Sequence, residues 1–435
     1  MQKAAPIDTL IHARWIVPIV PRNAVLDHHT IALYEGKILD ILPTDLAKKK
    51  YQAKHTFNRP SHVVMPGLIN AHAHTPTTLL RGIADDLPLM EWLNKHVFPA
   101  EAKLLSPKNV YTASTLAIAE MIRSGTTYFN DHYFYSNDTA HAVLDSGIRA
   151  TIGFWVGDAP TGWAKDGDQC LVRAQEEYDT RYQDERITYA MAPHSPYLCE
   201  DNHLLATLEF SKKYNLPIHI HLHETKDEIN LGLKKFEKRP IMRLNALGIL
   251  DHLIAAHMVH MTPDEIQLCK EKNISVIHCP QSNLKLADGF APINAFLNAG
   301  VTVALGTDGT ASNNDLDMFS ELRTASLLAK AVTEDPTACD AMTTLEMATI
   351  NGAKAIGLDH KIGSLEIGKS ADIITIDFDH LNTQPIYHPI SHLVYAVNAM
   401  QVTDVFVAGK QLLNQGELTT INKEKIIHEM AAIIA

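Results

Sequence analysis

From about residue 61 to 363 the chain keeps one rhythm: a short, nearly continuous apolar run, a polar punctuation, a helical stretch, and the apolar run again. Eight such runs can be read: HVVMPGLINAHA, GTTYFND (125–131), RATIGFWVG (149–157), ITYAMAPHS (187–195), PIHIHLHE (217–224), LIAAHMVH (253–260), SVIHCPQS (275–282) and VTVALGTDG (301–309). Between them lie helical segments such as NVYTASTLAIAEMIRSG, NHLLATLEFSKKYN and TPDEIQLCKEKN, with Gly125 and Asn273 placed as helix stops. Strands without polar alternation are buried on both faces, and strands alternating with helices are joined in parallel. The pattern predicts an α/β fold, a (β/α)8 TIM barrel over 61–363, whose chemistry stands at the carboxyl ends of the strands.

The flanks differ. Residues 1–60 and 364–435 carry short β-like runs with hairpin turns at Glu35-Gly36 and Gly409 and little helical pattern, so one small β domain assembled from both termini is expected. Charged residues make up 20% and hydrophobic ones 46%, as in soluble globular proteins. The net charge of −12 disfavours a nucleic-acid partner. No run approaches a membrane span and the amino terminus lacks a secretory apolar core. The five cysteines are scattered without a CxxC, which argues against a disulfide framework and fits a reducing, cytoplasmic setting.

Histidine is over-represented, at 24 copies against 12 Phe and 4 Trp. Its placement matters more than its number. Seven of the eight apolar runs close on an ionisable or amide side chain: His72 and His74; Asn130, Asp131 and His132; His194; His219, His221, His223 and Glu224; His257 and His260; His278; and Asp308. Such groups are costly to bury without partners. A metal held by imidazoles and a carboxylate answers that cost, and zinc, iron and nickel all accept such donors. His72 and His74 are two apart and so point the same way in a strand. On the fifth strand the alternation puts His219, His221 and His223 on one face and does not choose among them; His221 is the middle position. For His132, His219, His223, His260 and His278 a structural role is the simpler reading.

PGLINAHAH, HLHE, AAHMVH, CPQSNLKLADG, GTDGTASNN and the closing GSLEIGKSADIITID together resemble the amidohydrolase superfamily. The nearest likeness is to its 5-methylthioadenosine/S-adenosylhomocysteine deaminases. The resemblance implies the barrel plus a β-sandwich built from both termini, a small nucleoside substrate, and one zinc ion held by His72, His74, His221 and Asp308. It also implies Glu224 as the proton-transferring carboxylate, His257 beside the attacking water, Asp308 as a further proton carrier, and Trp92, Glu101 and His194 as substrate contacts. ITYAMAPHSPY has no lysine where two-metal members carry a bridging one, so a single metal is expected. The expected reaction is hydrolytic deamination of the adenine group, giving the inosine analogue and ammonia. An amidohydrolase acting on guanine, a pterin or a triazine is the alternative.

One departure bears on substrate. Relatives place an arginine in the loop after the third strand, where it can hold the amino-acid carboxylate of S-adenosylhomocysteine in two hydrogen bonds. Here that loop, GDAPTGWAKDGDQC, has none; it offers Lys165, with Arg173 further on. Methylthioadenosine or adenosine is therefore expected to be the better substrate, with Met90, Trp92 and Phe98 against an apolar 5′ end. A homo-oligomer is expected from the size of the barrel.

Overall fold

A computed structural model describes residues 4–87 and 89–434, with the side chains of residues 89 and 90 also outside the description. Eight parallel strands carry the middle of the chain: β1 (Leu68–His74), β2 (Thr126–Asp131), β3 (Arg149–Val156), β4 (Ile187–Pro193), β5 (His219–Leu222), β6 (Ile254–His257), β7 (Ser275–His278) and β8 (Thr302–Leu305). β1 to β4 pair side by side, as do β5 to β8. A parallel bridge between Met191 and Ile218, with Met191 N–H donating to Pro217 O at 2.9 Å, joins the two sets. Past β8, Asp308 pairs with Ala73 and Gly309 with His74, which returns the last strand to the first. This is an α/β chain with parallel sheets in the order a (β/α)8 barrel requires.

The helices between strands begin where the sequence offers caps. Ser106 accepts from Asn109 N–H at the start of Pro107–Arg123, and Thr262 and Glu265 form a capping box ahead of Pro263–Glu271.

Strands from both ends of the chain share one sheet. Its order runs Glu417–Leu418, Lys410–Asn414, Val402–Val407, Ile373–Asp377, Tyr51–Pro66, Ala5–Ile16, His29–Tyr34, Lys37–Pro43, with Leu26–Asp27 beside Ala5–Ile16. The hairpins at Glu35-Gly36 and at Gly409 form as expected. Two details depart from the pattern read in the sequence. The run HVVMPGLINAHA is not one strand: Val63, Val64 and Met65 finish the terminal-sheet strand Tyr51–Pro66, and only Leu68 onward belongs to the barrel. The break falls at Gly67, where a Cβ would come within 2.1 Å of the Thr127 side chain. The flanks are also not purely β, since Thr44–Lys50 and Lys423–Ile434 are helices. Lys423–Ile434 alternates badly for a strand and lays Met430 and Ile433 against the apolar cluster that contains Trp92 and Val97.

The sheet and the barrel are tied by a buried ion pair. Arg149, at the start of β3, donates to Asp372 at 2.6 Å and to Ser370 at 2.7 Å, with both charged side chains almost fully buried. A pair that deep is costly unless every donor is met, as it is here. No helix among the described residues is long and apolar enough to cross a membrane.

Candidate active site

The carboxyl ends of β1 and β5 and the seam past β8 converge on one cluster. His74 Nε2 lies 3.1 Å from Asp308 Oδ1 and 3.1 Å from His221 Nε2; His72 Nε2 lies 3.3 Å from the same Asp308 oxygen. The other ring nitrogens decide the protonation. His74 Nδ1–H donates to the His132 carbonyl at 2.5 Å, and His221 Nδ1–H donates to the His194 carbonyl at 2.6 Å. With the proton on Nδ1, each Nε2 carries a lone pair, so two lone pairs face each other next to a carboxylate. His72 Nε2 is buried without a hydrogen-bond partner. Three imidazole nitrogens and one carboxylate oxygen pointed at a common gap form a donor set that a metal ion fits, with carbonyls orienting two of the rings from behind.

Electrostatics divide the set: burial lowers His74, but the adjoining Asp308 carboxylate outweighs it and raises the imidazole above its ordinary value. Burial holds His72 down at about 4 and His221 well below the ordinary imidazole value, so both rings are neutral. Burial pushes Asp308 up, but the imidazoles of His72 and His74 against it outweigh that and hold the carboxylate well below its ordinary value. Ser282 Oγ at 2.7 Å and Ser312 Oγ at 3.0 Å both donate to Asp308 Oδ2, and Gly309 N–H donates to Oδ1.

Two further groups stand against the cluster. His257 Nε2 is buried, unpartnered and 3.7 Å from Glu224 Oε1, and His72, His221, His257 and Asp308 all have ligand atoms within 4.8 Å of one another. Burial and the charge of Asp308 raise the Glu224 carboxyl to about 8, so it keeps its proton near neutrality. Its backbone is fixed by Glu228, whose two carboxylate oxygens accept from His223 N–H at 3.0 Å and Glu224 N–H at 2.8 Å.

The strand-five ambiguity resolves physically. The strand ends at Leu222, and His223 takes a left-handed φ of 55°, which turns its ring out of the face shared by His219 and His221. His223 instead bonds the His260 carbonyl and accepts from Ile241 N–H. His219 sits one layer deeper, 2.9 Å from His72 Nδ1. His132 enters the same group of rings, 4.6 Å from His221 by centroid, with Nε2 turned to the Pro193 carbonyl at 3.3 Å.

The cluster forms the floor of a cleft with ≈ 1250 Å³ of empty space, open to solvent. Trp92, Glu101 and His194 line it, and so does Phe98; the Met90 side chain lies outside the described residues. The sequence reading did not single out Tyr133, Phe134, Trp155 and Trp163, which make the walls aromatic. Tyr133 donates its phenol to Glu101 Oε1. Burial lifts Glu101 to about 7 against the pull of that bond. Among the described residues no lysine or arginine lines the cleft. Arg173 instead lies over the Trp163 ring, 5.5 Å from its centroid, and Lys165 is solvent-exposed beside Asp166.

The amidohydrolase family profile matches residues 63–412. A 5-methylthioadenosine/S-adenosylhomocysteine deaminase of Teredinibacter turnerae is 43% identical over 98% of this chain and 97% of its own length. A 5′-deoxyadenosine deaminase of Methanocaldococcus jannaschii is 42% identical over 88% of this chain and 90% of its own. The crystal structure of an adenosine deaminase from Xanthomonas campestris with bound zinc matches with a TM-score of 0.97 at 46% identity, covering 99% of both chains. An atrazine chlorohydrolase from Arthrobacter aurescens, solved with zinc, has a TM-score of 0.91 over 98% of this chain and all of its own, but only 22% identity, and shares the fold alone. The chain belongs to the amidohydrolase family, in its branch of 5-methylthioadenosine/S-adenosylhomocysteine deaminases.

Proposed function

We propose that this chain is a zinc-dependent hydrolytic deaminase of adenine nucleosides that converts 5′-methylthioadenosine to its inosine analogue with release of ammonia. Adenosine and S-adenosylhomocysteine are further candidate substrates. The observation that carries this reading is the His72–His74–His221–Asp308 donor set facing Glu224 and His257 on the floor of an aromatic cleft.

His72, His74, His221 and Asp308 would hold the zinc, and iron or nickel would accept the same donors. When bound, the ion supplies the Lewis acidity that makes water a competent nucleophile near neutral pH. The protein does the rest. Glu224, protonated near neutrality, gives its proton to the ring nitrogen next to the carbon under attack, so that negative charge does not build there. His257 holds the attacking water in line. Asp308 takes the first proton that water loses and passes it to the departing amine, which leaves as ammonia; water's oxygen stays on the ring carbon as the new carbonyl, and its second proton returns to Glu224. Trp92 offers a flat apolar wall for the nucleoside, and Glu101 and His194 supply polar contacts.

The bare cleft wall supports an uncharged 5′ group. A carboxylate buried without a cationic partner is unfavourable. S-adenosylhomocysteine therefore meets no complementary charge here, whereas a methylthio group meets aromatic surface. The test is ammonia release by zinc-loaded protein from methylthioadenosine, adenosine, S-adenosylhomocysteine, guanine and a triazine. The highest kcat/KM is expected for methylthioadenosine. No turnover of any adenine nucleoside, or a clear preference for guanine or the triazine, would overturn the reading.

We further read residues 1–60 and 364–435, together with the rest of the strand Tyr51–Pro66, as one composite β-sandwich domain, and the chain from Leu68 to 363 as the barrel. An apolar cluster joining Ile11, Ile31, Val64, Leu365, Ile373 and Phe406 from both ends supports the first unit. A cytoplasmic homo-oligomer is the setting we propose.

A further inference from the structure

The side of His257 away from the cluster meets one residue that the deamination scheme leaves unused. Asn283 is buried and sits on the short helix Pro280–Lys285 after β7, with its side-chain nitrogen 3.0 Å from His257 Nδ1. A neutral imidazole has one ring proton. With that proton on Nδ1, the buried, unpartnered Nε2 would offer a lone pair to the cluster, and His257 would be one more metal ligand. With the proton on Nε2, His257 is a hydrogen-bond donor aimed at the same gap. The choice is made at Nδ1, by whichever edge of the Asn283 amide faces it.

The contact settles the edge. The atom facing Nδ1 is the amide nitrogen, which can only donate, so Nδ1 accepts and the ring proton lies on Nε2. The preceding residue on the same helix, Ser282, donates to Asp308 Oδ2 at 2.7 Å. One helical turn thus holds both the carboxylate and the histidine of the cluster from outside.

Resting on the deaminase reading above, we propose that Asn283 is a positioning residue that fixes His257 in its Nε2–H form, so that His257 donates to the attacking water and does not ligate the metal. Outer partners of this kind typically contribute about 10- to 100-fold to activity.

The experiment is a double-mutant cycle of Asn283→Leu with His257→Ala in zinc-loaded protein, with Asn283→Asp as a near-isosteric second variant in case the leucine disturbs folding. Cobalt-loaded parent and His257→Ala are compared by visible absorption, which reads coordination without turnover. Asn283→Leu and Asn283→Asp should lower kcat by about 10- to 100-fold with KM and metal stoichiometry unchanged. The same changes should cost nothing further on the His257→Ala background. The two cobalt spectra should have the same band shape and intensity. Additive losses in the cycle, metal loss on substituting Asn283, or a changed cobalt spectrum in His257→Ala would each overturn the proposal. A parent with no turnover would overturn the deaminase reading instead, while the cobalt comparison would still judge whether His257 ligates.

Discussion

Glu228 never touches the cleft floor, yet removing its carboxylate should disable the turn that presents Glu224. The side chain is 2% exposed and spends both oxygens on backbone donors, His223 N–H at 3.0 Å and Glu224 N–H at 2.8 Å. Its own N–H is capped by Thr225 Oγ at 3.1 Å, so the residue is locked into the first turn of the helix Lys226–Phe236. Glu228→Ala would leave two buried N–H groups without acceptors. Each such orphan costs about 1–3 kcal/mol, so the folded turn loses about 2–6 kcal/mol. Even the lower figure raises the population of locally opened chain about 30-fold. The direct assay is amide hydrogen exchange of the peptide spanning 219–230, read beside kcat and zinc content. Exchange there should accelerate by at least that factor, and kcat should fall with zinc retained, because His72, His74 and Asp308 are not supported by this residue. Glu228→Gln keeps one acceptor and should fall between. Exchange indistinguishable from the parent, together with normal kcat, would refute the claim that these two bonds hold the turn.

Other expectations can be checked as simply. A Cβ on Gly306 would come within 2.8 Å of His72 N, O and Cβ, so Gly306→Ala should displace the His72 backbone and lower zinc stoichiometry; a fully loaded variant would defeat the reasoning. Glu101 is raised to about 7 by burial, so it gains its proton as pH falls through that value and loses an acceptor for substrate hydroxyls. KM for methylthioadenosine should therefore rise below about pH 7, and that limb should vanish in Glu101→Gln; an unchanged limb would assign it to another group.

How far the sequence revealed this depends on the kind of information each feature carries. The barrel order could be read because most of the strands are nearly continuous apolar runs spaced by helical stretches. His72 and His74 could be paired because a spacing of two fixes their relative direction wherever the strand lies. Asp308 and His221 needed the closure of the barrel, and periodicity did not separate His221 from His219 and His223. The left-handed backbone at His223 removes that ring and the deeper position of His219 removes the other, and no residue type announces either. The carbonyls of His132 and His194, which set the tautomers of His74 and His221, are invisible to any reading of side chains. Ser282 and Asn283 lay inside the quoted motif CPQSNLKLADG, but their partners come from other strands, so the string could mark them without saying what they hold.

The seam at Asp308 also has a temporal side. The first two imidazoles leave the ribosome with β1, while the carboxylate that completes their donor set pairs with Ala73 only after the eighth strand has been made. Until then the early histidines form a partial, neutral set, which grips a divalent ion less firmly than one containing an anion. A nascent or prematurely ended chain would present imidazoles but no finished pocket, so capture of the ion is postponed until synthesis has passed the final strand. Metal content in a preparation of this protein would then count the chains that closed, and incompletely closed chains would be the ones a chelator strips first.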